Sequence, residues 1–245
     1  MPAPLIIEAA INGATTKSRN PNVPRTTTPT SAGLDGTRLS IEERNKHQIE
    51  LVDAGLTRLL FFDPGTGNVG GLGPAGPFGG DLVYQTTIRD VDHQMAVARE
   101  RRLAPMMSVY EPGWLQLVLA YERSGLLPPG GIVRFYFCGG GAFGPFDSIL
   151  FGLPPTARAL EAYLEMMEGS RLSWMAAVIG GDVVGSGIAG LAISRGSHCR
   201  VGLEHYSGSR QPTNEELVTE VADLSARAGR HLATTDETAS VALGA

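Results

Sequence analysis

The chain is poor in the groups that build disulfide frameworks and metal centres. Its two cysteines, Cys138 and Cys199, lie far apart and show no C-x-x-C spacing, which excludes a disulfide scaffold or zinc knuckle and reads as two reduced thiols. There are five histidines, His47, His93, His198, His205 and His231, and no two are separated by a single residue. Basic excess is missing as well. The formal net charge is −5 and the pI about 5.6; with Lys and Arg scattered, nothing forms a stripe for a phosphate backbone, so no nucleic acid partner is expected. The opening MPAPLIIEAA has neither a basic leader nor a long apolar stretch, and this points to a cytoplasmic protein. The most apolar window, 174–193, is about as long as a membrane span. Asp182 and five glycines interrupt it, so it reads as strand, loop and helix, and no membrane partner is expected.

What the chain does have is enough apolar material, 42% of 245 residues, for one large core. Apolar, β-branched or aromatic runs recur at 5–11, 58–63, 106–111, 132–139, 173–180 and 198–204. Segments with helical spacing follow most of them, at 88–102, 112–125, 156–169, 182–196 and 213–229, the last opened by a capping box of Thr213 and Glu216. Alternating strands and helices predict a parallel sheet covered on both faces. A strand every 25 to 35 residues or so predicts an α/β fold of the TIM-type (β/α) barrel over residues 1–245, as one domain.

In such a barrel the chemistry sits where strands end. The strand-end groups here are Asn12, Asp63, Tyr110 with Glu111, Gly139–Gly141, Gly180–Asp182, and Glu204 with His205. Alternation puts His198, Arg200, Gly202 and Glu204 on one face and Cys199, Val201 and Leu203 on the other. Arg200 and Glu204 thus point into the barrel. At about 3.3 Å per residue their α-carbons stand roughly 13 Å apart, which argues against a simple salt bridge. First and last strands of a closed barrel are neighbours, so Glu8 is an expected ion-pair partner of Arg200. Glu111 suits either a catalytic base or a cap for the helix that Pro112 begins. Gly181 and Asp182 belong to the loop GGDVVGSG, placed where this fold often binds anions, although its glycines equally suit close helix packing. The run GGGAFG (139–144) satisfies G-x-G-x-x-G, but Pro145 follows and no helix starts there, which argues against a dinucleotide site.

Four stretches, PLIIEAAINGATTKSRNPNVPRT, FFDPGTGNVGG, RVGLEHYSG with TNEELV, and GRHLATTDE, together resemble the β-keto acid cleavage enzymes. The resemblance runs over nearly the whole chain and implies a TIM barrel that uses zinc to condense a β-keto acid with acetyl-CoA. The products are acetoacetate and a new CoA thioester, so a small β-keto acid and a CoA ester are the implied partners, and a homo-oligomer the implied assembly. It also implies that Glu204 is a zinc ligand and that Arg200 lies in the substrate site as a catalytic group. Asn12, and Thr30 and Ser31 in the stretch that resembles the family's third strand, are the corresponding substrate-binding candidates.

The departures from that family are equally specific. Its other two zinc ligands are histidines in an H-x-H on the second strand, and that motif is absent. NVPRT resembles the end of the first-strand loop and TPTSAG the third strand, with almost nothing between. A missing βα unit with a junction near 26–30 is expected, leaving about seven strands. His205 is the nitrogen donor nearest Glu204 in the sequence and the candidate second metal ligand. The alternative is a catalytically impaired or shortened relative that keeps the barrel and binds a small carboxylate or CoA ester without chemistry.

Overall fold

The computed structural model describes residues 2–10, 39–73, 76–143 and 147–244. In chain order the first half holds β1 (Ile7–Ala9), α1 (Ile41–Asp53), β2 (Leu59–Phe62), β3 (Gly67–Gly73), β4 (Gly76–Tyr84), α2 (Ile88–Arg101), β5 (Ala104–Val109) and α3 (Pro112–Arg123). The second half holds β6 (Ile132–Cys138), α4 (Ala157–Met166), β7 (Ser173–Ile179), α5 (Ile188–Ser194), β8 (His198–Val201), α6 (Asn214–Arg227) and α7 (Thr235–Leu243). Six strands pair in parallel in the order β1-β8-β7-β6-β5-β2. They curl into part of a TIM-type barrel with helices outside. The seventh strand expected at TPTSAG lies outside the described residues, as do Asn12, Thr30 and Ser31.

Period-two alternation sorts each strand into an outer and an inner set. On β6, Val133, Phe135 and Phe137 join Tyr163 of α4 in the large core between sheet and helices. Ile132, Arg134 and Tyr136 face inward. The deepest inner layer, Ile6, Leu59, Met106, Ile132 and Met175, packs beneath Val241 and Ala242 of α7, which plugs the N-terminal end of the barrel. Four helices, α1, α2, α6 and α7, open with capping boxes in which Ser or Thr bonds the third helical N–H and an acid returns the bond. This satisfies donors that a helix start otherwise leaves unpaired.

Three elements depart from the expected pattern. The helix expected over 182–196 begins only at Ile188, because the Asp182 carboxylate accepts from the N–H groups of Val184 and Gly185 at 2.9 Å each, and Gly187 takes φ +82°. The glycine-rich stretch after β2 is an antiparallel hairpin, β3–β4. It packs on the loop after β6, where Leu150 donates to the Gly70 carbonyl at 2.9 Å. A Cβ on Gly71 would fall 1.6 Å from the Ser148 carbonyl oxygen, so that contact needs glycine. Lastly, α1 bonds the β2 backbone through a side chain. The Gln48 amide accepts from Phe61 N–H at 2.7 Å and donates to Phe61 C=O at 2.8 Å, satisfying the outer edge of β2.

Candidate active site in the mouth of the partial barrel

One layer above the apolar floor, the same strands present charge. Glu8 on β1 is in register with Arg200 on β8, and Ser108 on β5 with Arg134 on β6. Arg134 is 6% exposed; it donates to Ser108 Oγ at 2.6 Å, to the Met106 carbonyl at 3.4 Å and to Glu8 Oε1 at 3.1 Å. Its guanidinium also lies 5.1 Å from the Phe61 ring centre. Arg200, 12% exposed, gives one nitrogen to the same Glu8 oxygen and the other to Glu204 Oε2 at 2.5 Å. A chain of contacts therefore runs Ser108–Arg134–Glu8–Arg200–Glu204. The expected Glu8–Arg200 pair is present.

The direct Arg200–Glu204 bridge corrects the expectation from an extended strand. β8 stops at Val201, Gly202 adopts φ +139°, and residues 203–205 turn. That φ is open almost only to glycine. A Cβ there would also meet the Ala10 carbonyl oxygen at 2.2 Å. The turn folds Glu204 back over Arg200, and Glu204 N–H donates to Ala10 O at 3.1 Å. Burial pushes the Glu204 carboxyl above its ordinary value, and Arg200 offsets this only in part. Burial likewise pushes the Arg200 guanidinium down, with Glu204 opposing. At 29% exposure, Glu204 is the outermost of the four charges.

His205 follows Glu204 but does not complete a metal set. Its Nε2 stands 3.7 Å from Glu204 Oε2, and its ring meets Tyr136 edge-on with centres 5.2 Å apart. Burial, then Arg200 and Arg134, hold its imidazolium well below the usual range, so the ring is neutral. A zinc site of the family kind needs three protein donors. His198 Nδ1 accepts from Ile6 N–H, His231 pairs with Glu237, His93 with Glu42, and His47 lies on α1. Among the described residues no three His, Cys, Asp or Glu side chains group for a metal, and the other residues contain no His or Cys. The residues present do not fit zinc held in the family manner.

The remaining candidates are distributed around the mouth. Glu111 accepts from Gly152 N–H at 2.8 Å and so ties the loop after β6 to the end of β5. Asp182 secures its own turn and lies 3.8 Å from Arg210, while Gly181 bridges to Tyr206. Arg134 and Ser108 were not singled out in the sequence, although an arginine inside the run IVRFYFC is the visible sign of buried charge. The walls are aromatic: Tyr110 stacks on Tyr136 at 4.5 Å and meets Trp114 and Phe151 edge-on. Burial first, and Asp63 next, push the Tyr84 and Tyr110 hydroxyls up. Arg134, Asp63, Tyr84, Arg44, His47 and Gln94 line part of a cleft of about 290 Å³ that opens beside β2.

The family model for beta-keto acid cleavage enzyme matches residues 27–242. The chain belongs to the β-keto acid cleavage enzyme family. No curated protein matches it. Among solved structures, a ternary complex of ObcA with a C4-CoA adduct and oxalate is similar at 14% identity and TM-score 0.48, covering 74% of this chain and 44% of that one. The binary complex of ObcA with oxaloacetate gives 14% identity and TM-score 0.48, over 76% and 45%. The chain thus spans less than half the length of those proteins. Among the described residues of this family member, no helix is long and apolar enough to cross a membrane.

Proposed function

We propose that this member of the family binds a small β-keto acid in the mouth of the partial barrel, with the acid's carboxylate on Arg200 and a CoA ester as second ligand, without a family-type zinc ion. The supporting observation is the asymmetry of Arg200. One nitrogen is held from below by Glu8, itself fixed by Arg134, and the other holds Glu204. A ligand carboxylate that replaced Glu204 would keep Arg200 paired, as a buried guanidinium requires. The family match begins at residue 27, inside the 26–30 segment proposed as a junction. One domain over 1–245 lacking a single βα unit accounts for both that start and the absent H-x-H. The homo-oligomer implied by the family belongs to the same proposal, and light scattering on the purified chain reads it.

Isothermal calorimetry with acetoacetate tests the ligand reading. The expected result, at a temperature where the variant is folded, is binding that EDTA leaves unchanged and that Arg200→Met weakens by about 100-fold or more, the scale of a lost charge-assisted pair. Binding unaffected by Arg200→Met would overturn it. The family match favours a second reading: full condensation of a β-keto acid with acetyl-CoA to acetoacetate and a CoA thioester, dependent on zinc. One zinc per chain by elemental analysis, together with acetyl-CoA turnover that EDTA abolishes, would put the second reading in place of the first.

A further inference from the structure

Arg134 is the most buried of the four charges, and its hydrogen bonds run to Ser108, Met106 and Glu8. Its partners inside the barrel are Ser108, in register with it on β5, the Met106 carbonyl, the Phe61 ring and Glu8. Arg134 balances the cluster's charge, since Arg200 is shared between Glu8 and Glu204. An apolar set in place of all four groups would be about as stable, so charge balance inside the cluster does not explain why the cluster is there. What Arg134 adds is geometry. It bonds the same Glu8 oxygen as Arg200 and is itself pinned by the 2.6 Å bond to Ser108. Glu8 held by two cations cannot swing to chelate Arg200 with both oxygens, an arrangement that would draw both Arg200 nitrogens down and away from the mouth.

We propose that Arg134 is a positioning residue: acting through Glu8, it fixes one end of Arg200 so that the other nitrogen can exchange Glu204 for a ligand carboxylate. The inference rests on the reading of Arg200 as the ligand's receptor. It makes Ser108, Arg134 and Glu8 a rigid support on three strands, with Arg200 and Glu204 as the part that changes partners.

Calorimetry with acetoacetate on the full chain, at a temperature where every variant is folded, decides it. Arg134→Met should raise Kd by about 10- to 100-fold, the range typical of groups that orient a binding residue from behind. Ser108→Ala, which removes one anchor and little volume, should act in the same direction by a few-fold, and it decides the matter if Arg134→Met does not fold. Arg134→Lys should restore affinity in part, because an ammonium reaches Glu8 but lacks the fork that spans Glu8 and Ser108. In an Arg200→Met background, Arg134→Met should change Kd no further. A purely structural Arg134 would instead lower the melting temperature and leave Kd unchanged, in either background. If the unaltered chain binds, Arg200→Met does not, and both Arg134→Met and Ser108→Ala bind normally, the positioning role is wrong while the ligand reading survives. If Arg200→Met itself binds normally, the ligand reading falls and this inference falls with it.

Discussion

Two layers of the barrel interior, two residues apart on the same strands, are made of opposite material. Ile6, Leu59, Met106 and Ile132 form an apolar floor sealed by α7. Two residues toward the mouth on β1, β5 and β6, Glu8, Ser108 and Arg134 occupy the next inward positions, with Arg200 beside Glu8. Strand alternation decides which residues look inward but says nothing about what they are. The floor gains from removing apolar area from water. The charged layer gains little, because desolvating four ionic groups roughly offsets their mutual attraction. Stability accounts for the first layer, whereas the second is explained by what it holds.

That contrast can be broken most severely from below. Ile132→Ala removes a side chain that is 1% exposed, and should cost about 2–5 kcal/mol by leaving a cavity under the charged layer. The urea midpoint reads the loss. Acetoacetate affinity in the folded protein should stay within about twofold. A matching loss of affinity would mean that floor and charged layer are one unit.

His198 tests the boundary between them. It begins β8, faces inward, and its Nδ1 accepts the Ile6 N–H at 3.1 Å, a role open only to the neutral ring. Burial, with Arg230 nearby, lowers its value from 6.5 to about 4. The folded state therefore binds fewer protons than the unfolded chain. Its contribution is complete above pH 6.5 and is lost as pH falls through 4, a change of about 3 kcal/mol. Urea titrations from pH 7 to 4 should show this slope, and His198→Gln, whose amide oxygen can accept the same N–H, should flatten it. An unchanged slope in the variant would place the sensitivity elsewhere.

Much of this architecture was legible in the residues. Strands buried on both faces make continuous apolar runs, so all six described barrel strands stand out, as do the four long helices at 88–102, 112–125, 156–169 and 213–229. The hairpin did not, because its glycines serve close approach to the Ser148 loop rather than a strand pattern. Helices α1 and α7 were missed although both carry capping boxes, Ser40 with Glu43 and Thr234 with Glu237; each has a mixed apolar pattern that a boundary signal alone would have resolved. In the site, Glu8, Arg200 and Glu204 were visible as charges at inward positions. The bridge between the last two was not, because it depends on one glycine ending the strand in a conformation that strand spacing cannot anticipate. Arg134 escaped notice for a related reason: its partner lies 126 positions away in sequence, and only the curl of the sheet brings the two together.

The smallest expected effect is the most specific to the upper layer. Glu204 in the free protein carries a carboxyl raised above 4.5 by burial and restrained mainly by Arg200. A ligand that takes Arg200 removes that restraint, so the carboxyl rises further and takes up a proton on binding. Affinity for acetoacetate should then be highest below the free-protein value of Glu204 and weaken as pH climbs above it, by at most tenfold per pH unit. Glu204→Gln, which has no proton to gain, should bind with a flat profile over the same range, and Ile132→Ala, altered only in the floor, should retain the slope. Calorimetry in two buffers of different ionisation heat would count the proton directly. Zero uptake would mean that the ligand joins Glu204 on Arg200 rather than replacing it, so that the upper layer accommodates a fifth charge without surrendering any of its four.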